Sequence, residues 1–191
     1  QFRCFGSIQH LKSRFGRGLV ISVKQHAPAV ADIEEVCKTV LGHPDTEMSR
    51  DARLSSDHLK PALEKLGKPQ WAQKIAAHDI SGGSLFAAME KSGSVELGYF
   101  AEWFLSEQLY EQLGTFLNDH FDQVSPLERR GYHSKWRVEG TNKSLGEIFG
   151  VIEEDKSSLG IIEYAVSMAS LEQIFLLFAE EQALQTNHHH D

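Results

Sequence analysis

Gly18-Leu19-Val20-Ile21-Ser22-Val23-Lys24 is rich in β-branched residues and follows Gly16, so it reads as a β-strand that ends near His26-Ala27-Pro28. Directly after it, Val30, Ile33, Val36, Cys37 and Val40 recur at helical spacing up to Gly42 and Pro44, which predicts a helix. From Asp45 to about Phe121 the strand signal disappears. Leu59, Leu63 and Leu66 mark one helix, Trp71 and Ile75 another turn or two, and Leu85-Phe86 to Met89 a third short helix. Phe100, Phe104, Leu109, Leu113, Phe116 and Leu117, with Trp103 and Tyr110 beside them, mark a longer one.

Strands return at Asp122-Gln123-Val124 and from Tyr132 to Val138, with a hairpin turn at Arg129-Arg130-Gly131. Ser144-Leu145-Gly146-Glu147 is a capping box, in which the Ser144 hydroxyl accepts from the Glu147 amide and the glutamate reaches back, so a helix carrying Leu145, Ile148, Phe149 and Ile152 follows. Gly160-Ile161-Ile162-Glu163-Tyr164-Ala165-Val166 reads as a strand, and Ser170-Leu171-Glu172-Gln173 opens a last helix with Leu171, Ile174, Phe175, Phe178 and Leu184 near one face. With the helical stretch set aside, the order is βαββαβ plus a C-terminal helix. The expected fold is therefore an α+β, ferredoxin-like sandwich from residues 18–44 and 121–184, with an all-helical insertion over 45–120 that has its own small core, and a disordered tail over 185–191.

Composition fits this. The 191 residues are 41% apolar and 24% charged, ordinary for a globular chain that buries most of its surface without disulfide staples. Cys4 and Cys37 have no CxxC spacing, which suggests a reduced, intracellular protein with incidental thiols. Of the net charge of −8, residues 1–31 hold five bases (Arg3, Lys12, Arg14, Arg17, Lys24) and no acid, leaving −13 on the rest. Such a basic handle suits phosphate, anionic lipid or an acidic protein surface, although a solvated patch is the commoner explanation. No run approaches the roughly 18 consecutive apolar residues of a membrane span, so a soluble piece is expected. The chain starts at Gln1 without Met, in a run that alternates like the tail of a strand, which suggests a fragment cut from a larger chain.

The motifs that carry chemistry elsewhere fail here one by one. Ile80-Ser81-Gly82-Gly83-Ser84 invites comparison with the signature loop of ABC ATPases, but a turn in which Ser84 caps the next helix is the better reading. Gly67-Lys68 lacks the upstream glycine of a phosphate-cradling loop and is followed by Pro69. Arg130-Gly131-Tyr132 starts like an RNA-recognition strand, yet the first strand lacks base-stacking aromatics and the body is acidic, so no nucleic acid is expected. Asp57, Asp79 and Glu90 lack calcium-loop spacing, and no metal is expected. His188-His189-His190 reads as a tag remnant or tail, and no nucleophile elbow is present. Tyr99, Phe100, Trp103, Phe104 and Tyr110 suit the core of the insertion better than a lipid platform. Leu176 and Leu177 widen the last helix's stripe, so that helix suits two surfaces, one of which is a candidate partner face.

Two end motifs carry a resemblance. Gly6-Ser7-Ile8-Gln9-His10-Leu11-Lys12 followed by Phe15-Gly16-Arg17-Gly18 resembles the segment that leaves the nucleotide-binding domain in A-subfamily ABC transporters, the large lipid exporters. Val166-Ser167-Met168-Ala169-Ser170-Leu171-Glu172-Gln173-Ile174-Phe175 resembles the closing strand and helix of the same family. The likeness covers residues 1–28 and 121–184 well and departs over 45–120. It implies that residues 1–17 are the tail of a nucleotide-binding domain and its linker, and that the rest is a non-catalytic cytosolic regulatory domain. Gln9, His10, Lys12, Arg14 and Phe15 would then meet the nucleotide-binding domain, and Leu171, Gln173, Phe175 and Phe178 would line the sandwich or the inter-domain face. The resemblance implies no cofactor in this piece, with ATP and Mg in the parent's nucleotide-binding domains. Partners would be those domains, the transporter's other regulatory domain and, for the parent, a lipid. The place implied is the cytosolic face of a membrane, within an integral membrane protein. A stand-alone ferredoxin-like ligand-sensing or protein-docking module is the alternative, and an enzyme with an unrecognised site a third reading.

Overall fold

The computed structural model describes residues 18–42, 50–76 and 79–168. Its elements in chain order are β1 (Leu19–Gln25), α1 (Val30–Leu41), β2 (Arg53–Ser55), α2 (Ser56–Lys65), a 3-10 turn (Pro69–Lys74), α3 (Gly83–Ser92), β3 (Ser94–Glu96), α4 (Leu97–His120), β4 (Gln123–Arg130), β5 (His133–Glu139), α5 (Leu145–Asp155) and β6 (Ile161–Met168). They fall into two compact units. The described residues of the first are 18–24 and 115–168, and those of the second lie between Gln25 and Gly114.

The first unit is a mixed α and β structure on a four-stranded sheet of order β4-β5-β1-β6. β5 pairs antiparallel with β1, placing Ile21 opposite Trp136 and Val23 opposite Ser134. Because side chains alternate across a strand, Ile21, Val23, Trp136 and Val138 share one face, and all four are buried. Ser22, Lys24, His133, Lys135 and Arg137 take the other face. The predicted hairpin is present: β4 and β5 pair antiparallel and turn through Gly131, whose φ of 56° is a left-handed conformation that favours glycine. β4 is longer than its sequence suggested. It carries Pro126 and an irregularity between Pro126 and Glu128, both tolerated because β4 is an outer strand. The capping box before α5 also forms, with Ser144 N–H donating to Glu147 Oε2 at 2.7 Å and Glu147 N–H to Ser144 Oγ at 3.3 Å. The helix it starts buries Ile148 and Ile152.

The second unit has one core. Ile33, Val36, Cys37 and Val40 of α1 join Leu63, Trp71, Leu85, Met89, Phe100, Trp103 and Phe104 in a single buried cluster. The helical spacing of α1 to α4 is therefore real, but the region is not purely helical. β2 and β3 form a two-stranded antiparallel sheet that sets Leu54 opposite Val95. Each strand is three residues long and buries one apolar residue, so neither offers the alternation by which a strand is recognised. Trp71 lies in the 3-10 turn, started by Pro69. α4 runs unbroken for 24 residues.

Candidate functional site

The residues expected at an interface, Gln9, His10, Lys12, Arg14 and Phe15 at one end and Leu171, Gln173, Phe175 and Phe178 at the other, lie outside the described residues, as do Cys4, the capping box at Ser170, His188-His190 and the tail over 185–191. The described residues offer three places with distinctive chemistry.

One is the polar face of the first unit's sheet. Alternation along β1 and β5 brings Ser22, Lys24, His133 and Lys135 together, and with Glu163 and Ala165 of β6 they edge a shallow depression of about 160 Å³. Pockets that enclose a drug-sized ligand run about 300–1,000 Å³, so this one suits a side chain from another surface better than a whole ligand. Its charges are partly tied. Glu128 takes Lys135 Nζ at 2.6 Å and Arg130 Nε at 2.8 Å, and the hydrogen bond from Lys135 holds its carboxyl below the usual glutamate range. Arg137 pairs with Glu139, but its Nε is buried and has no hydrogen-bond partner among the described residues.

The second place is the opposite side of that sheet's outer strand. The Tyr164 ring stacks 5.5 Å from Phe149 of α5, and its hydroxyl donates to Glu153 Oε1 at 2.9 Å. Burial, then this bond to a carboxylate, pushes the phenol up to about 12. Around this pair Leu145, Phe149, Ile162 and Met168 stay exposed.

The third lies in the second unit. Lys68 and Lys74 sit over the Trp71 ring with Nζ 4.9 and 4.6 Å from its centroid, and each reaches a glutamate of α4: Glu111 at 2.5 Å and Glu107 at 2.9 Å. The Lys68 hydrogen bond holds Glu111 below its ordinary range. Glu107 is only 1% exposed, and a buried carboxylate needs such a partner. The clamp fixes the 3-10 turn to α4 and is structural. The sequence carries its signal unread: Glu107 stands four residues after Trp103 and three after Phe104, a charge on the helix's apolar stripe. The aromatic group goes to the core as expected, with Phe100, Trp103 and Phe104 buried, Tyr110 half-buried and Tyr99 exposed.

The glycine-rich stretch at Ile80-Ser84 is a turn, but Ser84 does not cap it. Helix α3 starts at Gly83 behind Gly82, and Asp79 Oδ1 instead accepts from Ser81 N–H at 2.8 Å, Ser81 Oγ at 2.7 Å and Gly82 N–H at 3.0 Å. A Cβ on Gly82 would stand 2.0 Å from the Lys74 carbonyl oxygen, so close backbone packing explains the glycine. Burial pushes the Asp79 carboxyl up, yet these donors outweigh it and hold it below its usual range. Cys37 is buried, and burial pushes its thiol up, away from the nucleophilic thiolate. Among the described residues no group of three His, Cys, Asp or Glu is placed to hold a metal ion, and no helix is long and apolar enough to cross a membrane.

The chain is similar to known phospholipid-transporting ATPases. The phospholipid-transporting ATPase ABCA3 of Homo sapiens is 40% identical over 182 residues, which is 95% of this chain and 6% of that protein. The same transporter of Mus musculus is 25% identical over the same share, and the retinal-specific phospholipid-transporting ATPase ABCA4 of Homo sapiens is 23% identical over 181 residues, 95% of the chain and 5% of the relative. Over 95% of its length the chain matches A-subfamily ABC transporters. It spans only a small part of the length of these transporters, 6% for ABCA3. No family model matches it. An alignment over 95% of the chain also takes in the A-subfamily likeness across residues 45–120, where the end motifs alone left a gap.

Proposed function

We propose that the chain is a non-catalytic regulatory domain of an A-subfamily transporter, set at the cytosolic face of the membrane, where it modulates dimerisation of the nucleotide-binding domains and thereby ATP-driven lipid export. The observation that carries this reading is the A-subfamily match over 95% of the chain. Strand order supports the finer fold: β4-β5-β1-β6, with β5 antiparallel to both β1 and β4, is the order of a ferredoxin-like βαββαβ sheet. The surface supports the role, since its chemistry is that of protein contact, a charged sheet face with a depression too small for a whole ligand.

In this reading the domain uses no cofactor. ATP and Mg bind the parent's nucleotide-binding domains, and the lipid is a phospholipid, as in the relatives' names. The domain acts by holding the closed ATPase dimer more or less tightly than the open one, and its differential affinity is the whole of its effect. Couplings of this kind are worth about 1–3 kcal/mol, or roughly 5–150-fold in an equilibrium. Gln9, His10, Lys12, Arg14 and Phe15 supply the contact to the ATPase domain, and Leu171, Gln173, Phe175 and Phe178 the packing or inter-domain face. The test is the ATPase rate and phospholipid transport of the parent in lipid vesicles, intact and truncated just before Gly18, after both are shown to insert. Changed turnover or lipid stimulation supports the proposal; unchanged turnover and transport overturn it.

A further inference from the structure

The polar face of the first unit's sheet gathers hydrogen-bond donors that nothing among the described residues uses. Lys24 of β1 stands opposite His133 of β5, and Ser22 opposite Lys135. By strand alternation all four side chains lie on one face, with the Cβ atoms of each pair about 4.5–5.5 Å apart. Ser22 and Lys24 are half-buried and His133 is exposed. All of them edge the depression of about 160 Å³, which also takes in Glu163 of β6. Lys135 is held by Glu128, which takes Arg130 as well. The Lys24 ammonium, the His133 ring and the Ser22 hydroxyl make no side-chain hydrogen bond or ion pair among the described residues.

We propose that this depression is a docking site for a carboxylate, the glutamate or aspartate side chain of an acidic protein segment lying across the sheet. Charge complementarity carries the inference. On this face Lys24, Arg130, Lys135 and Arg137 outnumber Glu128, Glu139 and Glu163, although the chain as a whole carries −8. The ammonium, the imidazole N–H and the hydroxyl can all donate to one group, and a carboxylate, with two oxygens and about four lone-pair sites, accepts from all three. Bonds from an ammonium to a carboxylate are also the stronger, charge-assisted kind. Glu163 sets the position within the depression. It stands on the β6 side of Lys24 and repels an anion there, which leaves the β1–β5 side, where Lys24 meets His133. The inference deepens the regulatory reading, from which it takes only that this face meets a protein. Failure of the peptide titration below leaves the truncation test untouched, and unchanged turnover on truncation leaves the titration untouched.

The experiment uses the 191-residue chain and two probes, an end-blocked tetraglutamate peptide and inorganic phosphate, followed by amide chemical shifts at low salt. The expected result is saturable shifts at Ser22, Lys24 and His133 on adding the peptide. Lys24→Glu is expected to weaken this binding about tenfold or more, the loss that goes with a hydrogen bond to a charged group. His133→Ala is expected to weaken it by less and serves as the second variant, and the Ile148 and Ile152 amides of α5 report that each variant keeps its fold. Shifts that survive both substitutions overturn the proposal. So do shifts confined to Arg3, Lys12, Arg14 and Arg17, or no saturable shift at all. Tighter binding of phosphate than of the peptide at the same residues overturns the assignment to a carboxylate.

Discussion

The two units bury their apolar residues in different ways. The second gathers side chains from α1 to α4 and β2–β3 into one closed cluster in which Trp71 meets Trp103 edge-on at 6.1 Å and Phe104 at 5.1 Å, and its exposed large apolar residues, Val30, Ile80 and Tyr99, stand on separate elements. Among the described residues, the first buries Ile21, Val23, Trp136 and Val138 on one face of its sheet and leaves Leu145, Phe149, Ile162 and Met168 exposed.

The contrast is sharpest in the core of the second unit. Phe100 is fully buried, and Phe100→Ala is expected to cost about 3–5 kcal/mol, read as a lowered urea midpoint with the loss concentrated in hydrogen-exchange protection of α2 and α4. Glu107→Ala removes the carboxylate that meets Lys74 and is expected to cost about 1–3 kcal/mol. Lys74 retains one-third of its side-chain exposure and re-solvates, which keeps the loss below that of a sealed pair. Ser144→Ala, in the first unit, removes one half of the capping box and is expected to cost about 1 kcal/mol. Asp79→Asn separates a turn from a site. The native carboxyl titrates below its ordinary range, so its contribution is complete above the unfolded carboxyl pKa and is lost as pH falls through the lower folded value. The variant should flatten the stability profile below about pH 4, and an unchanged acid limb would contradict the turn's role. Smallest of all, Lys135→Ala on the polar sheet face is expected to leave the melting temperature unchanged, since its partner Glu128 is on the surface. A clear drop there would mean that the face is part of the fold, and the comparison of the units would fail.

What the sequence made legible follows the same division. β1, the hairpin and the capping box of α5 were readable because each rests on a local signal: β-branched alternation, a glycine turn, a serine three residues ahead of a glutamate. The helices of the second unit were readable from spacing. β2 and β3 were not, because three residues with one apolar side chain carry no period, and their pairing brings Leu54 to Val95, 41 positions apart. Gly82 resembled a glycine of the ABC signature loop because sequence shows small residues without showing the Lys74 carbonyl that requires one. The Glu107–Lys74 pair was hidden for a similar reason, since its partner comes from a different element. The basic N-terminal residues and the stretch from Ser170 were read from charge, apolar spacing and family motifs, and apart from residues 18–24 they lie outside the described residues.

The central claim, that this domain works by distinguishing two states of an ATPase dimer, is tested most directly by binding. The affinity of the 191-residue chain for the parent's nucleotide-binding domains, prepared without their own copy of this domain, is measured by titration calorimetry once with a non-hydrolysable ATP analogue and Mg and once without nucleotide. The account predicts dissociation constants that differ by about fivefold or more between the two states. Equal affinities, or no binding in either state, would contradict it.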